Sequence, residues 1–276
     1  MGVTLLDAAS RGGTVGYPDV ATAYLGRSKL EVLMGPTIWD QVRGRTVLDL
    51  GCGYGVEAVE MAEHGARRVI GVDLDGERLD GARRLAMERD VTDRCVFADE
   101  SRERVDVIIS LDAFEHFSDP AAILVAMSDQ LNAEGAVWIS FGPTWYHPLG
   151  GHLFSVFPWS HLVFAESALI QWRSMYRSDG AKTIAQTGLN RMTIARFRRL
   201  VSQSPLRFDA WETVPIRRLR LVHNVLTREF TTATVRCKLV HRDVSSIPRS
   251  ESARRRERPF GGAAAASTGH GTREGS

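Results

Sequence analysis

The sequence predicts an α/β protein built on a doubly wound, mostly parallel β-sheet. From residue 46 onward, short runs of β-branched and aliphatic residues alternate with stretches in which apolar residues recur at helical spacing. This alternation is typical of strand–helix units, in which each helix carries the chain back to start the next parallel strand. A cluster of glycines also separates the first strand from the first helix. The 276 residues are enough for one large domain or two small ones.

Five strands and three helices account for the first part of the predicted sheet. The strands are predicted at 46–50, 69–72, 95–98, 105–109 and 136–141, and the helices at 56–64, 77–89 and 120–131. Gly65 ends the first of these helices, and Pro120 begins the last, because proline is well tolerated in the first helical turn. The later elements are predicted as a helix at 192–201, a strand at 208–214, a helix at 219–227 and a final strand at 233–241.

Three further segments flank or interrupt this main domain, which we place at residues 44–242. Residues 1–43 are predicted to form a helical cap over the mouth of the sheet. Residues 143–190 are rich in aromatic residues, histidine and glycine and follow no strand period, which indicates a functional lid inserted after the fifth strand. Residues 243–276 have the composition of a disordered tail, with an arginine-rich run and no apolar period.

The composition favours a soluble protein of the cytoplasm without nucleic-acid or membrane partners. The 35 Lys and Arg residues nearly balance the 33 Asp and Glu residues, and residues 243–276 alone hold six arginines against four acidic residues. Balanced charge creates no long-range field for polyanions or anionic lipid. The sequence shows neither a signal peptide nor a membrane-spanning run. Three widely spaced cysteines are expected to be reduced thiols: Cys52, Cys95 and Cys237.

The glycine cluster is the sharpest functional signal in the sequence. Asp49 lies near the end of the first predicted strand and is followed by Gly51, Gly53 and Gly55. Glycines at such a turn let the backbone approach a ligand closely, and they leave amide groups and the positive helix end facing it. A dinucleotide-binding fingerprint would need glycine at position 56, where this sequence has valine. The spacing therefore argues against a pyrophosphate-binding dehydrogenase.

The spacing Asp-x-Gly-x-Gly-x-Gly resembles motif I of class I S-adenosylmethionine-dependent methyltransferases. That resemblance implies a Rossmann-like sheet of seven strands with the last one antiparallel, and S-adenosyl-L-methionine as the cofactor. Asp73, 22 residues after Gly51, matches the acidic residue that binds the ribose hydroxyls. Asp99 matches the residue beside the adenine amino group. The resemblance implies that Asp49 fixes either the loop or the amino group of the donor, and that the loop amides hold the methionine part. The other implied cofactor-binding residues are Leu74, Glu100 and Leu111.

The acceptor side is predicted from the lid, because the chemistry of doubly wound sheets occurs beyond the carboxyl ends of the strands. Residues 143–190 contain three histidines in an apolar, aromatic setting: His147, His152 and His161. A histidine is a suitable base for a hydroxyl or phenol, and His152 is the leading candidate. The alternative is that each histidine only hydrogen-bonds the lid backbone.

A second group of candidates follows the fourth strand. Asp112, Glu115 and His116 have the i, i+3 and i+4 spacing that brings side chains together if the segment is helical. The group resembles the ExxEH metal-binding element of some quinone-biosynthesis O-methyltransferases, with Asp in place of the first Glu. Because Asp reaches less far, we expect no metal and regard these residues as weak candidates for ligands. The alternative is a role in the cofactor pocket or in packing.

Together these observations predict an S-adenosylmethionine-dependent methyltransferase that acts on a small-molecule acceptor, preferably at a hydroxyl oxygen, by in-line displacement. Residues 44–242 are then the methyltransferase domain, with 143–190 as its acceptor-binding lid. Two alternatives stay open at this point. One is an RNA or protein methyltransferase, and the other is a regulator that binds the cofactor without catalysis. The sequence does not identify the acceptor or the oligomeric state.

Overall fold

The structure, a computed structural model, describes residues 26–154, 157–175, 177–178 and 180–242. Residues 1–25 of the predicted cap and the predicted tail at 243–276 lie outside the described residues. Within the described ranges, none of the helices has the length and apolar character needed to span a bilayer.

One β-sheet with helices on both faces forms the described part of the chain. Its strands are β1 (Thr46–Leu50), β2 (Arg68–Val72), β3 (Cys95–Ala98), β4 (Val105–Leu111), β5 (Leu131–Phe141), β6 (Leu206–Pro215) and β7 (Thr232–His241). The α-helices of the described ranges are α1 (Lys29–Met34), α2 (Ile38–Val42), α3 (Val56–Glu63), α4 (Gly76–Glu88), α5 (Pro120–Gln130), α6 (Ser160–Val163), α7 (Glu166–Ser174), α8 (Ile194–Gln203) and α9 (Arg228–Thr231). Short 3-10 turns lie at Phe114–His116, His152–Phe154, Ala185–Thr187 and Arg217–Val222.

The strands are arranged in the order β3-β2-β1-β4-β5-β7-β6. β1 pairs in parallel with β2 and β4, with Val47 opposite Val69 and Val107. β7 runs antiparallel to both β5 and β6, so β6 points in the same direction as β1 to β5. The predicted Rossmann-like sheet with an antiparallel last strand is therefore confirmed. Because β1 to β6 share one direction, their carboxyl ends meet at one edge, where the sites of doubly wound sheets lie.

Both faces of the central strands are buried, which explains their almost continuous apolar sequences. One apolar cluster packs the sheet against α1 to α4 and includes Val47 and Val69. The other packs the opposite face against α5 and α8 and includes Leu48 and Phe197. Val47 and Leu48 belong to different clusters because successive side chains of a strand point to opposite faces. Full burial of each such side chain contributes about 2 kcal/mol to folding.

The described part of the N-terminal cap, helices α1 and α2, is attached to the sheet by polar contacts as well as apolar ones. Arg236 on β7 donates from Nη1 to the carbonyl oxygen of Leu33, at 2.8 Å, and its guanidinium also pairs with Glu212 of β6. Ser28 accepts the amide of Glu31 and so caps α1. These contacts hold the beginning of α1 close to the carboxyl edge of the sheet, where Ser28 and Lys29 line a cavity.

We call residues 143–190 the lid segment; its described residues pack around a small apolar cluster of their own. That cluster consists of Phe154, Leu169, Ile184 and Leu189. The amide of Trp145 donates to the carbonyl oxygen of Met192 at 2.7 Å, which ties the beginning of the lid segment to the chain just beyond its end. The lid segment is therefore a small packed layer beyond β5.

The prediction of an α-helix at 219–227 is wrong. The chain instead forms the 3-10 turn Arg217–Val222, bends, and begins α9 only at Arg228. The cause is local: Oδ1 of Asn224 accepts the amides of Leu226 and Thr227, at 2.9 Å and 3.2 Å. A side chain that bonds its own backbone in this way competes with the hydrogen bonds of a helix.

Several other boundaries differ from the sequence prediction by a few residues, and for two of them the structure shows the local arrangement. α8 begins at Ile194, later than the predicted 192, because Oγ1 of Thr193 accepts the amide of Arg196 at 3.0 Å and caps the helix there. β5 begins at Leu131, earlier than the predicted 136, and Leu131 pairs with Val105 across an irregularity in the β4–β5 register. Neither difference moves the carboxyl edge of the sheet.

Candidate functional site

The glycine loop between β1 and α3 lies at the carboxyl edge of the sheet. The amide of Gly51 donates to the carbonyl oxygen of Val72 on β2, at 2.8 Å. Gly51 and Gly55 have left-handed φ angles of 83° and 73°. A Cβ at Gly51 would lie 2.7 Å from the Cβ of Ala113, and one at Gly55 would lie 2.6 Å from the Cβ of Ala82. These two glycines are therefore needed for the loop to pack against its neighbours.

Asp73, at the end of β2, is joined to the middle of the glycine loop. Its Oδ2 accepts the amide of Gly53 at 2.9 Å, and its Oδ1 accepts the amide of Asp75 at 3.0 Å. A Cβ added to Gly53 would meet no atom within 4 Å, so this part of the loop faces open space. Each carboxylate oxygen has further acceptor capacity. Asp73 therefore lies beside the loop with acceptor sites still available, as a residue that binds ribose hydroxyls requires.

Asp49 is buried beneath the loop without a compensating partner. It is 3% exposed, and its Oδ2 has no hydrogen-bond partner among the described residues. Burial, together with the charge of Glu57, raises the pKa of Asp49 to about 8. A buried polar group is costly unless it is paired, and Asp49 lines a cavity. An ammonium group in that cavity would supply the missing partner.

Two clefts lie at this edge; Asp73 lines neither, but it accepts the amide of Gly53 in the wall of the larger and precedes Leu74 in the wall of the smaller. The larger, of about 880 Å³, lies between α1, the glycine loop and the end of β4, and its lining includes Lys29, Asp49, Gly53, Leu111 and Asp112. The smaller, of about 480 Å³, begins at the residue after Asp73 and is lined by α4 and the end of β3. Its lining includes Leu74, Leu79, Phe97 and Asp99.

The residues of the two clefts fit S-adenosylmethionine. The larger cleft offers charged groups suited to the amino-acid end of the molecule, including the unpaired oxygen of Asp49. The smaller cleft offers an apolar wall and the carboxylate of Asp99, which suit the adenine; Leu74 there is 92% exposed. Glu100, predicted beside the adenine, lines neither cleft, and its carboxylate lies 3.7 Å from Arg102.

Lys29 is a site residue that the sequence analysis missed. It lies at the beginning of α1, and its Nζ lies 3.0 Å from Oδ2 of Asp112 and 3.8 Å from Oε1 of Glu57. Its charge also acts to lower the pKa of Asp49, against the larger effect of burial. No local pattern marks this lysine. The one signal that could have found it is the predicted placement of the cap over the mouth of the sheet.

The segment after β4 is not an α-helix, and this changes the predicted grouping of its polar residues. Asp112 has a left-handed φ of 51°, and a 3-10 turn covers Phe114–His116. Asp112 consequently faces the lysine of α1. Glu115 and His116 instead meet His152 of the lid segment, with one ligand atom from each lying within 4.8 Å of the others. A carboxyl group and two imidazoles from two segments thus form one cluster at the carboxyl edge.

Burial controls the protonation of this cluster. Glu115 is 3% exposed; its Oε1 accepts the amide of Gly142 at 3.3 Å, and its Oε2 has no partner in the described part of the chain. Burial, followed by the charge of Asp112, raises the pKa of Glu115 to about 8. Burial, followed by the neighbouring His116, lowers the pKa of His152 to about 4, and burial also lowers that of His116. Both imidazoles are therefore neutral at pH 7 and have a nitrogen that can accept a proton or bind a metal ion.

The other two histidines of the lid segment bond its backbone, which is the alternative that the sequence left open. Nδ1 of His147 accepts the amide of Leu149 at 2.9 Å. Nε2 of His161 lies 2.7 Å from the carbonyl oxygen of Trp145, and the two rings pack edge to face. Of the three predicted candidates, His152 is the one that the fold brings to Glu115 and His116.

Asn190 anchors the far end of the lid segment to the turn that follows β4. The side-chain Nδ2 of Asn190 donates to the carbonyl oxygens of Phe114 and Phe117, at 2.8 Å and 2.9 Å. The backbone N–H of Asn190 donates to the carbonyl oxygen of Glu115, at 3.0 Å. Nη1 of Arg196 on α8 donates in turn to the carbonyl oxygen of Asn190. These bonds hold the turn and the lid segment in one arrangement, so the cluster is preorganised.

Comparison with known proteins shows which family the sequence matches. A family model described as a methyltransferase domain matches residues 27–199. A ubiquinone biosynthesis O-methyltransferase of Neisseria meningitidis serogroup C is 32% identical over 161 residues, which cover 55% of this chain and 62% of that protein. A protein of the same name from Idiomarina loihiensis is 38% identical over 107 residues, covering 37% of this chain and 44% of its own length. The chain thus spans less than two thirds of the length of these relatives.

Solved structures share the fold at low sequence identity. An S-adenosylmethionine-dependent methyltransferase from Mesorhizobium loti aligns with a TM-score of 0.50 and 15% identity, over 75% of this chain and 97% of that chain. A magnesium protoporphyrin IX methyltransferase from Synechocystis, solved with bound S-adenosylmethionine, aligns with a TM-score of 0.50 and 15% identity, over 83% and 86% of the two chains. At this identity the likeness concerns the fold alone.

Proposed function

The chain belongs to the methyltransferase-domain family, in the class that uses S-adenosylmethionine, and on this basis we propose that it methylates a hydroxyl oxygen of a small molecule. The observation that carries this proposal is the position of the cluster of Glu115, His116 and His152. It follows Leu111 and Asp112, which line the larger cleft, so a polar acceptor site adjoins the cofactor cleft. The relatives named O-methyltransferases support oxygen as the acceptor atom.

The residues proposed to hold the cofactor come from five elements, α1 and the carboxyl ends of β1 to β4. The glycine loop and Asp49 receive the methionine part, with the carboxylate of Asp49 facing the ammonium group and Lys29 facing the carboxylate group. Asp73 receives the ribose hydroxyls, since a carboxylate accepts two hydrogen bonds at once. Leu74 and Asp99 receive the adenine, and Leu111 forms part of the wall. When bound, S-adenosylmethionine supplies an electrophilic methyl group on a positively charged sulfur.

On the acceptor side, we assign the residues of the cluster separate tasks. His152 accepts the proton of the acceptor hydroxyl at Nε2, which has no hydrogen-bond partner among the described residues. Because burial lowers the pKa of His152, its imidazole is neutral at pH 7 and that nitrogen has a free electron pair for the proton. Glu115, held protonated by burial, can donate a hydrogen bond to the same acceptor. The lid segment excludes water and aligns the acceptor, which is the main contribution an enzyme makes to an in-line displacement.

A divalent cation is the competing occupant of the cluster. One carboxylate and two neutral imidazoles are ligands that first-row divalent metals accept, and binding such an ion would deprotonate Glu115. Asp112, the third residue of the predicted metal element, pairs with Lys29 instead. We propose transfer without a metal. Activity that is lost on treatment with EDTA and restored by one added divalent metal would show that the ion is required.

The proposal is tested in two steps, donor binding first. Calorimetric titration with S-adenosylmethionine should give a single site, and Asp73→Ala should weaken it. A small-molecule extract is then incubated with the enzyme and isotopically labelled donor. Mass spectrometry of this mixture searches for a product that carries the labelled methyl group. Donor binding without any labelled product would favour a non-catalytic regulator. Product found only on RNA or protein, with activity that falls steeply as salt rises, would favour a macromolecular acceptor.

We also propose that the lid segment is the acceptor-binding unit, that residues 1–43 act as its N-terminal cap, and that the enzyme works in the cytoplasm. The lid assignment is supported by the bonds of Asn190, which place the lid against the turn that bears Glu115 and His116. Replacing Asn190 by Ala should therefore raise KM for the acceptor while leaving the donor Kd unchanged.

A further inference from the structure

The connection between β6 and β7 exposes several large apolar side chains. We call residues 216–230 the docking loop. Leu221 is fully exposed, Leu226 is 90% exposed and Val225 is 73% exposed. Single exposed apolar residues are ordinary at protein surfaces, but several of them in one short connection indicate an interaction site.

The same loop carries unbalanced positive charge. Its three exposed basic residues are Arg217, Arg218 and Arg220. None of the three forms an ion pair with a carboxylate in the described ranges of the chain. Glu229 is the one acidic residue in the loop, and its carboxylate accepts the amides of Ile194 and Ala195, at 3.1 Å and 2.7 Å. The acid is therefore engaged in capping α8, and the arginines face solvent beside the exposed leucines.

Hydrogen bonds hold the docking loop in its shape. The ring of His223 bridges two hydroxyl groups, with Nε2 3.0 Å from Oγ1 of Thr213 and Nδ1 2.8 Å from Oγ1 of Thr231. Oγ1 of Thr227 donates to the carbonyl oxygen of Val222. Because the backbone is fixed at both ends of the loop, the exposed leucines are presented outward by an ordered scaffold.

The docking loop lies at the same edge of the sheet as the candidate site. It follows the carboxyl end of β6, which points in the same direction as β1 to β5. Its last residue, Phe230, also packs on Tyr146 of the lid segment, with ring centroids 5.2 Å apart. Anything that binds the docking loop therefore sits beside the lid segment.

We propose that the docking loop binds the surface of an anionic lipid bilayer. Leu221, Val225 and Leu226 enter the boundary between headgroups and acyl chains, and the arginines bind lipid phosphates, as in amphipathic surface anchors. A nucleic acid would use the arginines but leave the leucines in water. A second copy related by a two-fold axis would bring the arginines of the two loops together, since such interfaces use the same surface twice.

This surface contact lies outside the proposed cofactor and acceptor sites and does not depend on them. It departs from the expectation, drawn from the whole-chain charge, that the protein has no membrane partner. The balanced total conceals the local excess of arginine, because attraction to a charged surface acts over about one Debye length, roughly 8 Å in physiological salt. Docking in this way would bring the lid segment close to the bilayer.

Co-sedimentation of the full chain with lipid vesicles tests the proposal. The vesicles are phosphatidylcholine alone and phosphatidylcholine with about one third phosphatidylglycerol. We expect binding to the anionic vesicles, weakening as salt rises. The variant R217Q/R218Q/R220Q should lower the partition coefficient about a hundredfold, at about fivefold for each arginine. The variant L221D/L226D should lower it by a similar factor, since charges enter the interface poorly.

Matched controls separate the loop from the rest of the surface. The control for the arginine variant is R84Q/R102Q/R199Q, which changes three exposed arginines outside the loop. The control for the leucine variant is M87D, which changes an exposed apolar residue of α4. Both controls should bind vesicles like the unmodified chain, and all variants should keep its donor affinity. Equal binding to neutral and anionic vesicles, or binding that survives both loop variants, would overturn the proposal. So would a dimer that both loop variants dissociate, or oligonucleotide binding that only the arginine variant abolishes.

Discussion

The pH dependence of donor binding should report the buried carboxyl group of Asp49. Burial and the charge of Glu57 raise its pKa to about 8. If the carboxylate pairs with the ammonium group of S-adenosylmethionine, the carboxyl group must lose its proton for the complex to form. Donor affinity should therefore rise as pH approaches 8 and be lost as pH falls below it.

The size of the change in donor affinity follows from the pKa of Asp49. With a pKa near 8, about one molecule in a hundred has the carboxylate at pH 6, and about half have it at pH 8. The ammonium group of the donor has a pKa close to 8 as well and has lost about half of its charge at pH 8, so the Kd for the donor should fall about twenty-fivefold over this interval, which corresponds to about 1.9 kcal/mol. Above about pH 8 the ammonium group of the donor loses its own proton, so affinity should decrease again.

The same carboxyl group should affect folding stability with the opposite trend. Its pKa in the folded protein lies above its ordinary value of 3.8, so the unfolded chain loses the proton first as pH rises. The free energy of unfolding should therefore decrease between about pH 4 and pH 8, with Glu115 contributing in the same direction. Asp49→Asn removes one of the two ionisations and should make this decrease smaller.

Calorimetry on the unmodified chain and on Asp49→Asn, between about pH 6 and pH 8, tests the reasoning. The variant keeps the shape of the side chain and should bind the donor weakly with little dependence on pH. Asp129→Asn, on the exposed side of α5, serves as the control and should reproduce the unmodified profile. A donor Kd that stays constant over this range in the unmodified chain would refute the pairing of Asp49 with the ammonium group.

Three further predictions concern the rest of the site. Asp73→Ala should weaken donor binding about a hundredfold in calorimetry, because two hydrogen bonds to a charged group are lost, while Glu100→Ala should change nothing. His152→Gln should lower kcat about a hundredfold in a labelled-donor assay; an equal loss of donor affinity would contradict its place on the acceptor side. Gly55→Ala should lower the free energy of unfolding in urea by about 3 kcal/mol, through backbone strain and overlap with α4. The methyl group added by Gly53→Ala would meet no atom within 4 Å, so this variant should lower the free energy of unfolding by only about 1 kcal/mol. Equal losses of stability in the two variants would contradict the packing role of Gly55.

The sheet and the glycine loop were accessible from the sequence because their signals are local. Alternating apolar runs marked β1 to β4, and their predicted positions differ from the structure by no more than two residues at each end. Gly51 and Gly55 each have a left-handed φ, and a Cβ at either position would lie too close to a neighbouring side chain. Glycine meets both requirements, so the glycines in the sequence mark this loop. The helix predicted at 219–227 failed for an equally local reason, the side chain of Asn224, which propensity and periodicity do not weigh.

The grouping of side chains across the edge was not accessible in this way. Lys29 faces Asp112 although the two residues are far apart in the chain, because the cap folds over the end of β4. Glu115 and His116 meet His152 because Asn190 ties the lid segment to the turn after β4. No period or motif in either segment encodes these distances.

By itself the sequence determined the α/β class, the glycine-rich turn between the first strand and the first helix of the sheet, and the acidic residues Asp49 and Asp73 beside that turn. Each depends on backbone conformation or on spacing within one or two consecutive elements. Only the tertiary structure decided which of the three lid histidines meets Glu115 and His116 and that Lys29 lines the larger cleft. It also decided that the arginines and leucines after β6 share one exposed surface. The first two are contacts between segments distant in sequence, which the packing of the whole chain selects, and the third depends on which side chains the folded loop leaves in solvent.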